Sequence, residues 1–158
     1  MIKKFISIIF LIGVLFSMSA FQTVNPADCE VEEALKVCKK NLSPFSFQDR
    51  KTITFDYSDQ SQTKEYDIQL YEGEEYRFVI NRSYSPGVEI EVYNKPQEKN
   101  NRKLIYSSKT DSNKGEVITF EPITIPHLYI DVVIPGGVKD RAQGCVTVMV
   151  GYELVFID

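Results

Sequence analysis

The residues of this sequence best suited to chemistry are three cysteines, two closely spaced glutamates and a single histidine. Glu89 and Glu91 lie two positions apart in an alternating stretch, so in a strand their side chains share one face. Paired carboxylates can act as general acid and base; the same pair also suits the wet face of a half-buried strand. His127 follows Pro126. A lone histidine needs carboxylate or thiolate partners to hold a metal, and none is close in sequence. It reads as a residue at the start of a strand. Asp111-Ser-Asn113-Lys-Gly115-Glu116 places oxygen ligands at alternate positions, as calcium loops do. Its glycine comes one place early and the distal bidentate acid is missing, so a polar hairpin turn fits better. The chain contains neither a Gly-x-Ser-x-Gly elbow nor a glycine-rich phosphate loop. A nucleophilic cysteine would need a base, and only His127 is available. The sequence thus assigns no catalytic, cofactor-binding or metal-binding residue.

The cysteines are better read as structural. Pro26 and Asp28 precede Glu30, Glu32 and Glu33, while Lys36, Lys39 and Lys40 come at the far end and Asn41 can stop the run. That order predicts a helix over residues 29–40, with Asp28 as its cap. Val31, Ala34, Leu35, Cys38 and Leu42 share one apolar face at helical spacing. At 100° per residue, Cys29 and Cys38 point to opposite sides, which excludes a bond between them within the helix. Cys38 faces the core and Cys145 begins the last strand. The expectation is a Cys38–Cys145 disulfide, with three free, partly buried thiols as the alternative.

Met1-Ile-Lys3-Lys4 opens onto an apolar run from Phe5 to Phe16, followed by Ser17, Ser19 and Ala20. Charged start, short apolar stretch and small-residue end predict a signal peptide over residues 1–20. The run falls short of the roughly 20 apolar residues of a spanning helix. No integral membrane segment is therefore expected after cleavage, and the mature chain belongs in the periplasm or the secreted space. There disulfides persist. The chain has 158 residues and a formal net charge of -4. Loss of Lys3 and Lys4 with the leader makes it more acidic still, which argues against a nucleic-acid partner.

From Lys51 onward the apolar period changes to two. Ile53-Phe55-Tyr57, Tyr66-Ile68-Leu70, Tyr76-Phe78-Ile80, Val88-Ile90-Val92, Leu104-Tyr106, Val117-Phe120, Leu128-Ile134 and Val146-Tyr152 predict eight short strands. Turn residues such as Ser85-Pro86-Gly87 and Pro135-Gly136-Gly137 separate them. One wet face per sheet implies antiparallel pairing. Two apolar faces that must cover each other imply a two-sheet sandwich of jelly-roll type. The expected organisation is a helical segment over residues 21–44 and a β-sandwich domain over residues 45–158.

The run Tyr71-Glu-Gly-Glu-Glu-Tyr-Arg-Phe-Val-Ile80 resembles the opening of the bacterial pre-peptidase C-terminal domain. Val88-Glu-Ile-Glu-Val-Tyr93, Leu104-Ile-Tyr-Ser-Ser108, Ile118-Thr-Phe-Glu-Pro122, Leu128-Tyr-Ile-Asp-Val132 and Val146-Thr-Val-Met-Val-Gly-Tyr152 continue the likeness over residues 65–155. The resemblance implies a small jelly-roll sandwich acting as an accessory, non-catalytic module of an exported protein.

The functional expectation is an exported, non-enzymatic module that binds a protein or cell-envelope partner. A carbohydrate-binding module is the first alternative. It would stack sugars on tyrosines such as Tyr84, Tyr93 and Tyr106, since the chain has no tryptophan. A small hydrolase using Glu89 and Glu91 is the second. The basic loop Lys95–Lys103 reads as a solvated hairpin tip or a contact site. Asn41-Leu-Ser43 and Asn81-Arg-Ser83 match the glycosylation acceptor pattern.

Overall fold

The computed structural model describes residues 29–111, 115–123 and 126–155. The expected leader, the Asp28 cap and the middle of the Asp111–Glu116 turn lie outside the described residues. Eight strands form in chain order: β1 Ser46–Asp56, β2 Gln62–Gln69, β3 Glu74–Asn81, β4 Glu89–Tyr93, β5 Leu104–Ser107, β6 Val117–Phe120, β7 His127–Ile134 and β8 Gln143–Leu154. They make two antiparallel four-stranded sheets, β1-β8-β3-β6 and β2-β7-β4-β5. First pairs with last, second with seventh, third with sixth and fourth with fifth. That nesting is the jelly roll, as the alternating pattern and regular spacing predict.

Alternation decides which side chains meet between the sheets. Tyr76, Phe78 and Ile80 of β3 and Val146, Val148 and Val150 of β8 face Ile90 and Val92 of β4 and the four apolar residues Leu128, Ile130, Val132 and Ile134 of β7. All are buried. The opposite face of the first sheet is also apolar at Val79 and Met149, and a sheet with two apolar faces needs a second cover.

That cover is helix α1, Val31–Leu42, whose buried residues are Ala34, Cys38 and Leu42. It packs mainly on β8 and β3. Its first turn carries Glu32 and Glu33 and its last Lys39 and Lys40, complementing the helix dipole. The Asn41 side-chain amide donates to the Val37 carbonyl at 2.9 Å, and Ser43 is already extended ahead of Pro44, which cannot continue a helix. Arg77 then clamps the exit. Its guanidinium donates to the Ser43 carbonyl at 2.6 Å and to Glu121 at 2.6 and 2.8 Å, and lies 4.3 Å over the Phe45 ring.

The disulfide joins Cys29 to Cys145, with a Cα separation of 5.8 Å, and not Cys38 to Cys145 as the apolar face of the helix suggested. Cys38 is a buried free thiol whose Sγ donates to the Thr147 carbonyl at 3.9 Å. Two facts account for the correction. The helix begins at Val31, two residues later than predicted, so Cys29 lies ahead of it and its direction is not set by helical phase. The helix also runs along β8 in the same sense, from Cys145 to Gly151, where Leu42 meets the strand. A helix rises about 1.5 Å per residue and a strand about 3.3 Å, so residues 29–42 and 145–151 both cover about 20 Å. Cys38 then falls about 13 Å along, beside Thr147 and Met149. A disulfide to Cys145 would need Cα atoms within about 7 Å.

Candidate functional site

Glu89 and Glu91 do share one face, the outer face of the β2-β7-β4-β5 sheet, and both carboxylates are engaged. Lys109 Nζ lies 2.6 Å from Glu89 and 3.6 Å from Glu91, and the Tyr93 hydroxyl donates to Glu91 at 2.8 Å. The Glu89 hydrogen bond holds the Lys109 ammonium above its ordinary pKa. Cross-strand register sets Glu65 of β2, Asp131 of β7 and Glu91 of β4 side by side. Three carboxylates in one row repel, and Arg102 offsets that repulsion. Its guanidinium donates to both Asp131 oxygens at 2.8 and 3.2 Å and to Glu65 at 3.3 Å, and stacks 3.8 Å over the Tyr93 ring. The Gln97 backbone N–H adds a bond to Glu65 at 2.8 Å. The basic loop Lys95–Lys103 is therefore a strap drawn back across the sheet. Burial comes first among the causes that push the Glu65 carboxyl up.

His127 opens β7, as Pro126 suggested. Its Nε2 lies 3.3 Å from Asp67 and its ring stacks on Tyr129 at 4.9 Å. Among the described residues, no group of three or more histidine, cysteine or acidic side chains is placed to hold a metal ion. Asp111 accepts a 2.7 Å bond from the Tyr106 hydroxyl, and burial raises the Tyr106 pKa.

A different part of the molecule is open. The sheets end in β1 and β2 on one side and in β5 and β6 on the other. The first pair carries charge: Asp49, Arg50 and Lys51 in β1, Lys64, Glu65 and Asp67 in β2. Charges on an edge strand discourage further strands from adding. The second pair, Leu-Ile-Tyr-Ser in β5 and Val-Ile-Thr-Phe in β6, carries none. Between them lies a cleft of about 520 Å³ lined by Leu104, Ile105, Tyr106, Phe120, Pro122 and Ile123, with the charged residues Lys103 and Glu121 at its ends. Its floor is the stacked rings of Tyr106 and Phe120, 4.7 Å apart, and the buried Phe78 ring packs on Phe120 at 5.0 Å. Leu104 is 47% exposed and Ile123 88% exposed at its mouth.

The sequence-chosen residues thus separate. Glu89 and Glu91 come together in a network that Lys109 and Arg102 partly neutralise, His127 lies apart on β7, and Cys145 serves the helix. Arg102, Asp131, Leu104 and Ile123 were not singled out as a site. The available signal was the missing charge in residues 104–107 and 117–120, which alternation analysis reads simply as core strand. Comparison of the chain with protein-family models, curated proteins and solved structures found no match.

Proposed function

We propose that this is an exported, non-enzymatic module that takes up an extended apolar segment of a protein partner along its β5–β6 side. The observation that carries the reading is the uncharged double edge, with exposed Leu104 and Ile123 flanking an aromatic-floored cleft. Edge strands recognise extended peptides by main-chain hydrogen bonds, and adjoining pockets select alternate side chains. The Cys29–Cys145 disulfide and the charged, apolar, small-residue order of the N-terminus support export. The resemblance to pre-peptidase C-terminal domains supports an accessory role. Engagement of Glu89 and Glu91 by Lys109 and Tyr93 supports a structural role for that pair over an acid–base one.

A sugar-stacking role finds less support. One ring face of Tyr93 is taken by Arg102 and one of Tyr106 by Phe120, and Tyr84 is half-buried, so the three do not form a flat exposed row.

Site-specific photocrosslinking tests the proposal. A crosslinker at Leu104 or Ile123, in the native envelope, should trap one discrete partner. The same group at Lys64 on the charged β2 edge should not. Equal trapping from all three positions would overturn the assignment of the β5–β6 side.

A further inference from the structure

A second cleft, also about 520 Å³, lies at one end of the sandwich, where the β3–β4, β5–β6 and β7–β8 connections meet. It differs from the β5–β6 cleft in being polar and cationic. Arg82 and Arg141 line it with Lys109, Glu89 and Glu116, and the hydroxyl residues Ser83, Ser85 and Ser108 fill in between. Its charges do not cancel evenly. Lys109 is held between Glu89 and Glu91, and its single charge is more than answered there. Arg141 has no ion pair or hydrogen bond among the described residues, although it is half-buried. Glu116 is exposed. The lining itself holds three cations, Arg82, Lys109 and Arg141, against two carboxylates, Glu89 and Glu116, in a molecule whose formal net charge is -4.

Arg82 is fixed in place. Its Nη1 donates to the Val88 carbonyl at 2.6 Å, and its Nε and Nη2 donate to the Gly115 carbonyl at 3.4 and 3.3 Å. A guanidinium has five N–H donors, so one on each Nη is left over. The wall around it is equally fixed. The Ser85 hydroxyl donates to the Cys145 carbonyl at 2.5 Å, Ser85 N–H to the Arg82 carbonyl at 2.9 Å, and the Tyr57 hydroxyl to the Pro86 carbonyl at 3.1 Å. Donors held by other bonds need no ordering when a ligand arrives, which lowers the cost of binding. Planar guanidinium groups match the planar, two-oxygen carboxylate better than a single-point acceptor. No aromatic ring lines the cleft, so stacking is not the basis of recognition.

We propose that this cleft is a carboxylate-binding site, in which Arg141 and the two spare N–H groups of Arg82 receive the anion. A polypeptide C-terminus and an acidic sugar present the same group, and the volume falls in the range of small-ligand pockets, about 300–1,000 Å³.

The test is an amide chemical-shift titration of the oxidised protein with three probes: acetyl-trialanine with a free carboxylate, the same peptide as its C-terminal amide, and glucuronate. The free acid, glucuronate or both should give saturable shifts over residues 82–88, Ser108, Lys109 and Arg141, and the amide should give none. Response to the peptide acid alone assigns a polypeptide terminus; response to glucuronate alone assigns an acidic sugar. Arg141→Ala should weaken the response at least tenfold with an unchanged unfolding midpoint, and Arg141→Lys should recover only part of it. Equal shifts from acid and amide, no shifts from either carboxylate, or full binding by Arg141→Ala would each overturn the proposal. Leu104→Lys should bind the carboxylate normally, so failure here and failure of the β5–β6 reading are separable.

Discussion

At Cys38, burial among Leu42, Val79 and Met149 pushes the thiol pKa up to about 11, because a thiolate there has lost its water. The thiol should therefore resist alkylation at neutral pH until the protein unfolds, which mass spectrometry of the folded and denatured chain would read out. The raised pKa also fixes a sign. Between the ordinary thiol pKa near 8.5 and about 11, the folded state holds a proton that the unfolded state has lost, so stability falls as pH rises through that window. Cys38→Ala should flatten this part of the pH–stability curve while lowering the neutral-pH plateau through lost packing. Arg102 sets the opposite kind of problem. Its partner Asp131 has a side chain only 5% exposed, and removing one member of such a pair leaves the other charge buried and unanswered. Arg102→Ala should cost about 3 kcal/mol in urea unfolding. It should also open the Lys95–Lys103 strap to trypsin. An Asp131→Asn, Arg102→Gln double change should cost less than Arg102→Ala alone. None of this was legible beforehand, because Arg102 and Asp131 are 29 positions apart in a chain that shows only a basic loop and an alternating strand. Their meeting depends on register.

Elements were legible where one physical rule decided them. The strands were legible from period-two alternation where one face is wet, while β3 and β8, covered on both faces, depart from it at Val79 and Met149. The helix was legible as an element, and its start was not. The expected cap, Asp28, lies outside the described residues; Glu30 takes the cap position with no side-chain hydrogen bond, and Cys29 is committed to β8. The disulfide thus ties down the N-terminal end of α1, while Leu42 on Gly151 fixes the other. These two anchors should fail differently. Cys29→Ala removes a bridge spanning 116 positions and should cost about 3–5 kcal/mol in the chain-entropy picture. In hydrogen exchange, residues 31–35 should lose protection before residues 38–42. Gly151→Ala acts from the other end. A Cβ there would come within 2.8 Å of both Leu42 Cδ1 and the Ser46 carbonyl oxygen, and backbone cannot yield as a side-chain tip does. It should loosen the C-terminal half of the helix and leave the disulfide formed. Equal loss of protection along the whole helix in both variants would show that α1 detaches as one unit.

At the scale of the whole molecule, the jelly roll follows from patterns the sequence displays, while its open side follows from which edges end up adjacent. Residues 104–107 and 117–120 read as ordinary core strands in one dimension. In the fold, each becomes an outer edge, and the two lie against each other through the Tyr106–Phe120 stack. Closing a sandwich leaves four edges, and this chain charges only the β1 and β2 pair. Shortness and a register slip between Val92 and Tyr93 limit what β5 can pair with, which protects against open-ended addition without covering the apolar side chains. The cleft is thus suited to one short segment more than to an extending sheet. A prediction follows that needs no partner. Leu104→Lys combined with Ile123→Lys replaces exposed apolar groups that contribute little to the core, so the unfolding midpoint in urea should move by no more than about 0.5 kcal/mol equivalent. The folded wild-type protein should bind the apolar dye ANS at this cleft and the double variant should not. Lysines at the exposed positions Phe47 and Leu154, which lie on other strands, should leave dye binding in place. Dye binding that survives the Leu104, Ile123 change and disappears with the Phe47, Leu154 change would move the apolar docking surface off the β5–β6 side altogether.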